Sequence, residues 1–99
     1  MKAKKIINFT HDPNTNDNLG HGTFISGVIG NRKLECGVGI ATESDLYVLK
    51  LFTSERVSYT SWFLDAFNYV LENGIDIINL SNGSSDFLDM PFIEKINEL

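Results

Sequence analysis

The feature that most constrains the fold is the six-residue run 75–80, in which four side chains are isoleucine or leucine. It follows an Asn-Gly pair and precedes a stretch of small residues, so turn signals bound it on both sides. A strand that is nearly all apolar is typical of a parallel sheet covered by helices on both faces. We therefore predict a buried strand at 75–80. We expect Ile77→Asp to abolish folding of a complete domain, because it would bury an unpaired carboxylate.

The rest of the chain alternates between helical and strand patterns. We expect Ser58 or Thr60 to cap the second helix and the pair at 73–74 to end it. Alternation of this kind indicates crossover connections and an α/β fold with a parallel sheet. Because so few strands leave an edge bare, we expect an incomplete doubly wound parallel sheet, with residues 1–99 forming part of a larger domain. The predicted elements are helices at 22–30 and 62–71, strands at 6–9 and 46–52, and a last helix from Pro91 onward.

Composition excludes several function classes. The 99 residues carry a net charge of −5, which argues against nucleic acid as a partner. No apolar stretch approaches the roughly 20 residues of a membrane-spanning helix, so a membrane anchor, if any, is expected outside this segment. A single cysteine, Cys36, cannot form an internal disulfide and leaves the redox compartment open.

The sequence GHGTFISGVIG at 20–30 places His21 between two glycines where a helix begins. Two interpretations are open: a polar residue at a helix start, or a functional group on a backbone that glycine leaves free to bend. Gly27 inside the helix costs about 1 kcal/mol relative to alanine, so we expect a packing reason for it. The loop at 81–85 follows the predicted strand and is either an ordinary turn or a source of backbone groups for an extended ligand.

Two further patterns are weaker. Asp and Asn alternate at 12–18 like calcium ligands, but Asp17 stands where the loop needs glycine and Thr23 where it needs glutamate. The sequence GVG at 37–39 resembles the start of a dinucleotide fingerprint, but no third glycine or helix follows. A solvated loop and a plain connection are favoured, and we expect no metal and no cofactor.

The segment GHGTFISG resembles the region around the catalytic histidine of subtilisin-like serine peptidases. At family spacing, GVGIATESDLYVLKLF is similar to the connection and strand that follow, and SWFLDAFNYVLENGIDIINLSNGS to the next helix, buried strand and substrate loop. The resemblance covers about residues 8–99. Phe24 and the stretches ECGVGIA and VSYTSWFLDAFNY look most like the site-1 protease branch of the family.

The resemblance implies a mechanism in which serine attacks the scissile carbonyl and histidine accepts its proton. An aspartate orients the histidine, and an asparagine with a backbone N–H stabilises the oxyanion. His21 matches the general base, whereas Asp12 and Asp17 lack the family's aspartate motif. We expect the other catalytic residues outside these 99, so the segment alone should be an inactive piece of a serine endopeptidase. The alternatives are a non-catalytic relative that binds peptides or regulates a partner, and an unrelated nucleotide-binding α/β domain.

The resemblance also implies a groove in which a protein or peptide substrate lies as an added strand. Asn82 departs from the hydrophobic residue common in the family, which leaves the shape of the first specificity pocket open. The two walls of the groove are expected at Ser81, Asn82 and Gly83 and, facing them, at Arg56, Val57 and Ser58.

The compartment is inferred from the resemblance and one short motif. Asn8-Phe9-Thr10 matches the N-x-T glycosylation pattern. The site-1 branch works in the secretory pathway, so we expect a protein of the Golgi or endoplasmic reticulum lumen. We expect Asn8 to be exposed and to carry sugar.

Overall fold

The computed structural model describes residues 3–81 and 95–98 of the chain. They divide into two compact units, bounded as Met1–Val57 and Ser58–Leu99. The start predicted for the last helix, at Pro91, lies outside the described residues, and residues 95–98 are helical. The elements are β1 (Lys5–Asn8), α1 (His21–Gly30), a 3-10 helix (Leu34–Cys36), β2 (Tyr47–Lys50) and α2 (Thr60–Glu72).

The first unit is built on a parallel pair of strands. β1 pairs with β2 in the register Ile6 to Val48 and Ile7 to Leu49. Parallel strands need a long crossover connection, and α1 lies within it. The α/β prediction is therefore confirmed, and both strands lie within a residue or two of the predicted positions. The predicted strand at 46–52 is shorter in the structure, since β2 ends at Lys50.

The C-terminal end of α1 is closed by a neighbouring backbone segment. The last carbonyl groups of a helix lack partners within the helix. Here the N–H groups of residues 39, 40 and 41 donate to the carbonyl oxygens of Asn31, Val28 and Ile29 at 2.8, 3.1 and 2.7 Å. This segment therefore caps the helix and joins it to the connection that leads to β2.

Gly39 owes its presence to this close approach. A Cβ at Gly39 would lie 2.6 Å from the backbone nitrogens of Gly30 and Asn31. The GVG sequence thus serves helix packing, which accounts for it without a bound nucleotide. Gly27 differs, because nothing among the described residues lies within 4 Å of a Cβ built there. The described residues supply no packing reason for Gly27.

Two glycine-to-alanine substitutions should therefore change stability in opposite directions. Gly39→Ala should lower the free energy of unfolding by about 1–3 kcal/mol, because its Cβ meets backbone that cannot rotate away. Gly27→Ala should raise it by about 0.5–1 kcal/mol, because alanine is the better helix former and the space is open. Urea denaturation of both variants measures this. Equal effects of the two substitutions would contradict the packing assigned to Gly39.

The second unit contains α2, whose ends are formed by its own backbone. Its N-cap is Tyr59, so the prediction of Ser58 or Thr60 is wrong. The helix starts earlier than expected because the N–H groups of residues 62 and 63 donate to the Tyr59 carbonyl. The predicted end is confirmed: Gly74 has φ +62°, and the N–H of Ile75 donates to the Val70 carbonyl at 3.2 Å. This reversal is the usual way a glycine ends a helix.

One face of α2 is buried and carries the apolar core of the unit. Ala66, Phe67 and Val70 are at most 6% exposed. Their spacing of one and four residues places them on the same side of a helix. The rings of Phe63 and Phe67 lie 6.3 Å apart, and Tyr59 meets Trp62 edge to face at 4.8 Å.

The predicted buried strand at 75–80 is wrong in this structure. The segment is not part of a sheet, and Ile77 is 85% exposed. A strand forms only by hydrogen bonding to a neighbour, and among the described residues none pairs with this segment. Ile77→Asp therefore buries no charge here, and the expected loss of folding does not follow from this structure.

Candidate active site

The loop that leads to α1 is held at the end of β1 by Asn8, whose side-chain nitrogen and oxygen are both hydrogen-bonded to it. The Nδ2 of Asn8 donates to the carbonyl oxygens of Asp12 and Asn14 at 2.8 and 3.1 Å. Its Oδ1 accepts from the N–H and the hydroxyl of Thr10. Asn8 is half-buried, so the expectation that it is exposed is wrong. Its Nδ2, where a sugar would be attached, is engaged in holding the loop.

A second anchor joins the same loop to the end of β2. The Oδ2 of Asp12 lies 3.0 Å from the Nζ of Lys50, and these side chains are only 13% and 12% exposed. The same Oδ2 accepts from the N–H of Ser54 at 2.9 Å. The hydrogen bond from Lys50, followed by that from Ser54, lowers the pKa of the Asp12 carboxyl.

The ammonium group of Lys50 also donates hydrogen bonds to backbone carbonyl oxygens of the loop. Its Nζ donates to the carbonyl oxygens of Asn14 and Asn16 at 3.1 and 2.9 Å. An ammonium group has three donors, and here all three have an oxygen acceptor. The alternating Asp and Asn residues at 12–16 thus serve to surround a lysine. Among the described residues, no group of three or more His, Cys, Asp or Glu side chains could hold a metal ion.

This ion pair predicts an acid-dependent stability. Because the folded pKa of Asp12 lies below its unfolded value, the stabilisation is complete above an unfolded pKa of about 3.9 and is lost as pH falls through the folded pKa. Asp12→Asn should therefore destabilise the chain at pH 6 and much less at pH 2. Urea midpoints over this range measure the difference.

Asp45→Asn is the matched control for this experiment. Asp45 pairs with Lys4 in the open, where the two side chains are 69% and 56% exposed. Exposed pairs contribute little, so this variant should follow the parent at each pH. A constant difference between Asp12→Asn and the parent from pH 6 to pH 2 would show that the ionised carboxylate is not what stabilises the loop.

The N-terminus of α1 is held by Asp17. Its Oδ1 accepts from the N–H of Gly20 at 2.9 Å, and its Oδ2 accepts from the N–H and hydroxyl of Thr23 at 2.7 and 2.6 Å. The Thr23 hydroxyl is the largest cause that lowers the pKa of Asp17, followed by the two N–H groups and the charge of His21. A carboxylate at this end of a helix satisfies N–H groups that have no intrahelical partner.

His21 is the first residue of α1 and is exposed. Gly20 before it has φ +86°, a left-handed conformation that glycine adopts without strain. The N–H of Phe24 donates to the Gly20 carbonyl and closes the first helical turn. No hydrogen bond to the His21 side chain is present in the described part of the chain. Its imidazole is thus available to an outside partner while its backbone is fixed on both sides.

The residues predicted to form one wall of the groove lie in a tight turn after β2. Thr53, 2% exposed, donates its N–H to the Val57 carbonyl, and its own carbonyl accepts from the Arg56 N–H, both at 2.9 Å. The Thr53 hydroxyl accepts from the N–H groups of Glu55 and Val57. Arg56 has φ +65°, as expected for the residue that closes such a turn before a bulge. The side chain of Arg56 is exposed.

The other predicted site residues are only partly described. Ser58 and Ser81 belong to the second unit, and the hydroxyl of Ser81 accepts from the Nδ2 of Asn79 at 2.8 Å. Asn82 and Gly83 lie outside the described residues. Within the first unit, the structure shows no hydrogen bond between His21 and Arg56 or Val57 among its described residues. The groove therefore stays a prediction.

Three residues that position this region were missed by sequence reasoning. Lys50 and Thr53 act through contacts distant in sequence or within a turn, and no local pattern marks them. Asp17 lies three residues before the N-cap Gly20, so the usual pattern of a capping side chain at the helix start does not mark it either.

In residues 3–81 and 95–98, none of the helices has the length and apolar character needed to span a bilayer.

Comparison with known proteins identifies the family. The model described as the subtilase family matches residues 3–98. The subtilisin-like protease SBT6.1 of Arabidopsis thaliana is 51% identical over 98 residues, which cover 99% of this chain and 9% of the relative. The membrane-bound transcription factor site-1 protease of Homo sapiens is 49% identical over 97 residues, 98% of this chain and 9% of the relative. The intracellular serine protease of Paenibacillus polymyxa is 32% identical over 103 residues, 96% of this chain and 31% of the relative.

The chain thus spans less than a tenth of the length of the first two relatives and about a third of the bacterial one. All three relatives are named as proteases, and they come from two eukaryotes and one bacterium. The match to the family model runs through β1, α1, β2 and α2. This chain belongs to the subtilase family.

Proposed function

We propose that the chain is part of the catalytic domain of a subtilisin-like serine endopeptidase and that His21 is its general base. The observation that carries this proposal is the setting of His21. Its imidazole is exposed and its backbone is fixed between a left-handed glycine and the first turn of α1. A general base needs an accessible ring nitrogen at a fixed place, because proton transfer requires hydrogen-bond distance to the nucleophile.

The proposed reaction follows the family mechanism. The imidazole of His21 accepts the proton of the nucleophilic serine as that serine attacks the scissile carbonyl, and then delivers it to the leaving amine. The serine, the orienting aspartate and the oxyanion asparagine are assigned to no residue of this chain.

The proposed substrate is a protein or peptide bound in an extended form, and the family resemblance assigns its contacts to residues 56–58 and 81–83. The turn after β2 supports a rigid edge, because both backbone groups of Val57 are bonded to Thr53. We assign Val57 to holding this edge. Arg56, whose side chain is exposed beside it, is assigned to contacting the substrate.

A chimeric protease tests the proposal. This chain would replace the matching segment of the human site-1 protease, and cleavage of peptide substrates would be measured. His21→Ala should lower kcat by about 10³- to 10⁶-fold and leave KM nearly unchanged, because the base acts mainly in the transition state. His11→Ala changes the other histidine of the chain and should leave kcat near that of the parent chimera.

Each outcome separates the functional classes. Cleavage by His21→Ala at nearly the parent rate would show that His21 is structural. A parent chimera that binds peptides but does not cleave them would favour the alternative, a non-catalytic relative that binds peptides or regulates a partner.

For the complete domain we propose a doubly wound parallel sheet. The parallel pairing of β1 and β2 around a helical crossover supports it.

We also propose that the protein works in the lumen of the secretory pathway. The resemblance to the site-1 branch supports this, and the name of the human relative refers to a membrane-bound transcription factor. The name of the bacterial relative, an intracellular protease, points the other way. In isolated microsomes the protein should resist added protease until detergent is supplied, as followed by immunoblot. Digestion without detergent would contradict the luminal assignment.

A further inference from the structure

We propose that Asp17 is a positioning residue for His21 and fixes the backbone on both sides of that histidine. For its functional meaning this inference rests on the role proposed for His21 as general base. The geometry itself stands on contacts within the first unit.

The carboxylate of Asp17 bridges His21 along the chain. One oxygen accepts from the N–H before the histidine, at Gly20, and the other accepts from the N–H and hydroxyl after it, at Thr23. A Cβ at Gly22 would lie 3.6 Å from Oδ2, so the carboxylate also lies against the backbone of the intervening residue. Gly20 and Thr23, on the two sides of the histidine, are thereby tied to one planar group.

The hydrogen bonds of Asp17 are strong enough to hold the backbone at Gly20 and Thr23 in one conformation. A carboxylate bonded to N–H and O–H donors makes charge-assisted hydrogen bonds, which are shorter and stronger than neutral ones. The distances of 2.6–2.9 Å agree with this. They also maintain the left-handed Gly20, whose φ of +86° sets the direction from which the chain enters α1.

The three hydrogen bonds from Gly20 and Thr23 to Asp17, which we call the clamp, require the ionised carboxylate. The folded pKa of Asp17 is lowered, first by the Thr23 hydroxyl. The clamp is therefore complete above the unfolded pKa of about 3.9 and is lost as pH falls through the folded value. Among the described residues, His21 is the ionisable side chain whose charge acts on this carboxyl.

An acid titration of the chain followed by NMR tests the proposal. The amide resonances of Gly20 and Thr23 should shift together in one step below about pH 4. The carbon-bound ring protons of His21 should shift in the same step, because the carboxylate whose charge changes is bonded to the residues on both sides of the histidine. A purely structural aspartate elsewhere in the chain would not move the His21 ring signals.

Matched variants make the result specific. Asp17→Asn should abolish the step at His21, whereas Asp45→Asn, the same change at an exposed ion pair, should preserve it. If Asp17→Asn fails to fold, Thr23→Val removes one of the three bonds and should bring the midpoint of the step closer to pH 3.9. The proposal is overturned if the His21 ring signals stay constant through the titration, or if Asp17→Asn or Thr23→Val leaves the step as it is in the parent.

Kinetics in the chimeric protease add a second readout. Asp17→Asn should lower kcat by about 10- to 100-fold with KM within about twofold of the parent, as expected when a catalytic group is displaced by a fraction of an ångström to one ångström. An unchanged kcat would overturn the positioning role. If His21→Ala retained activity, the role of His21 as general base would be rejected. The NMR result on the hydrogen bonds of Asp17 would still be valid, because it does not depend on activity.

Discussion

The interaction on which the first unit depends is the one between the Lys50 ammonium and the loop that precedes α1. At the end of β2, this ammonium binds the Asp12 carboxylate and the carbonyl oxygens of Asn14 and Asn16. Because the ion pair is nearly buried, water competes with it less than at an open surface, and leaving either partner alone would be costly. The loop is thereby attached to the sheet at a defined place.

The position of His21 follows from this attachment through a chain of polar contacts. Asn8 and Lys50 hold the first half of the loop, and Asp17 in its second half holds the turn at Gly20 and the start of α1. Apolar packing contributes little at this end of the helix, since Phe24 is 68% exposed. Hydrogen bonds have narrower geometric limits than apolar contacts, so such a network suits a side chain that must meet a reacting atom.

The sequence allowed the elements with strong local patterns to be predicted, because periodicity and turn residues act over a few positions. α1, α2 and the glycine end of α2 were predicted in this way. The ion pair of Lys50 joins positions 38 residues apart, and no local pattern encodes it. The His21 helix was found by the same local reasoning, but the role of Asp17 depends on a loop conformation that only the structure provides. The glycines show the same limit: close packing was expected at Gly27 in the helix, whereas it is at Gly39 in the connection that a Cβ would meet backbone.

The segment 75–80 and the backbone around His21 differ in where their hydrogen-bond partners come from. A strand takes its backbone hydrogen bonds from a neighbour, so an apolar run such as this one is a strand only where another strand lies beside it. The contacts around His21 lie within Met1–Val57, and the carboxylate, the turn and the helix start satisfy one another there. The geometry of the histidine is therefore encoded by nearby residues of its own unit. Residues 75–80 have no neighbouring strand among the described residues, and their apolar pattern alone therefore does not make them sheet.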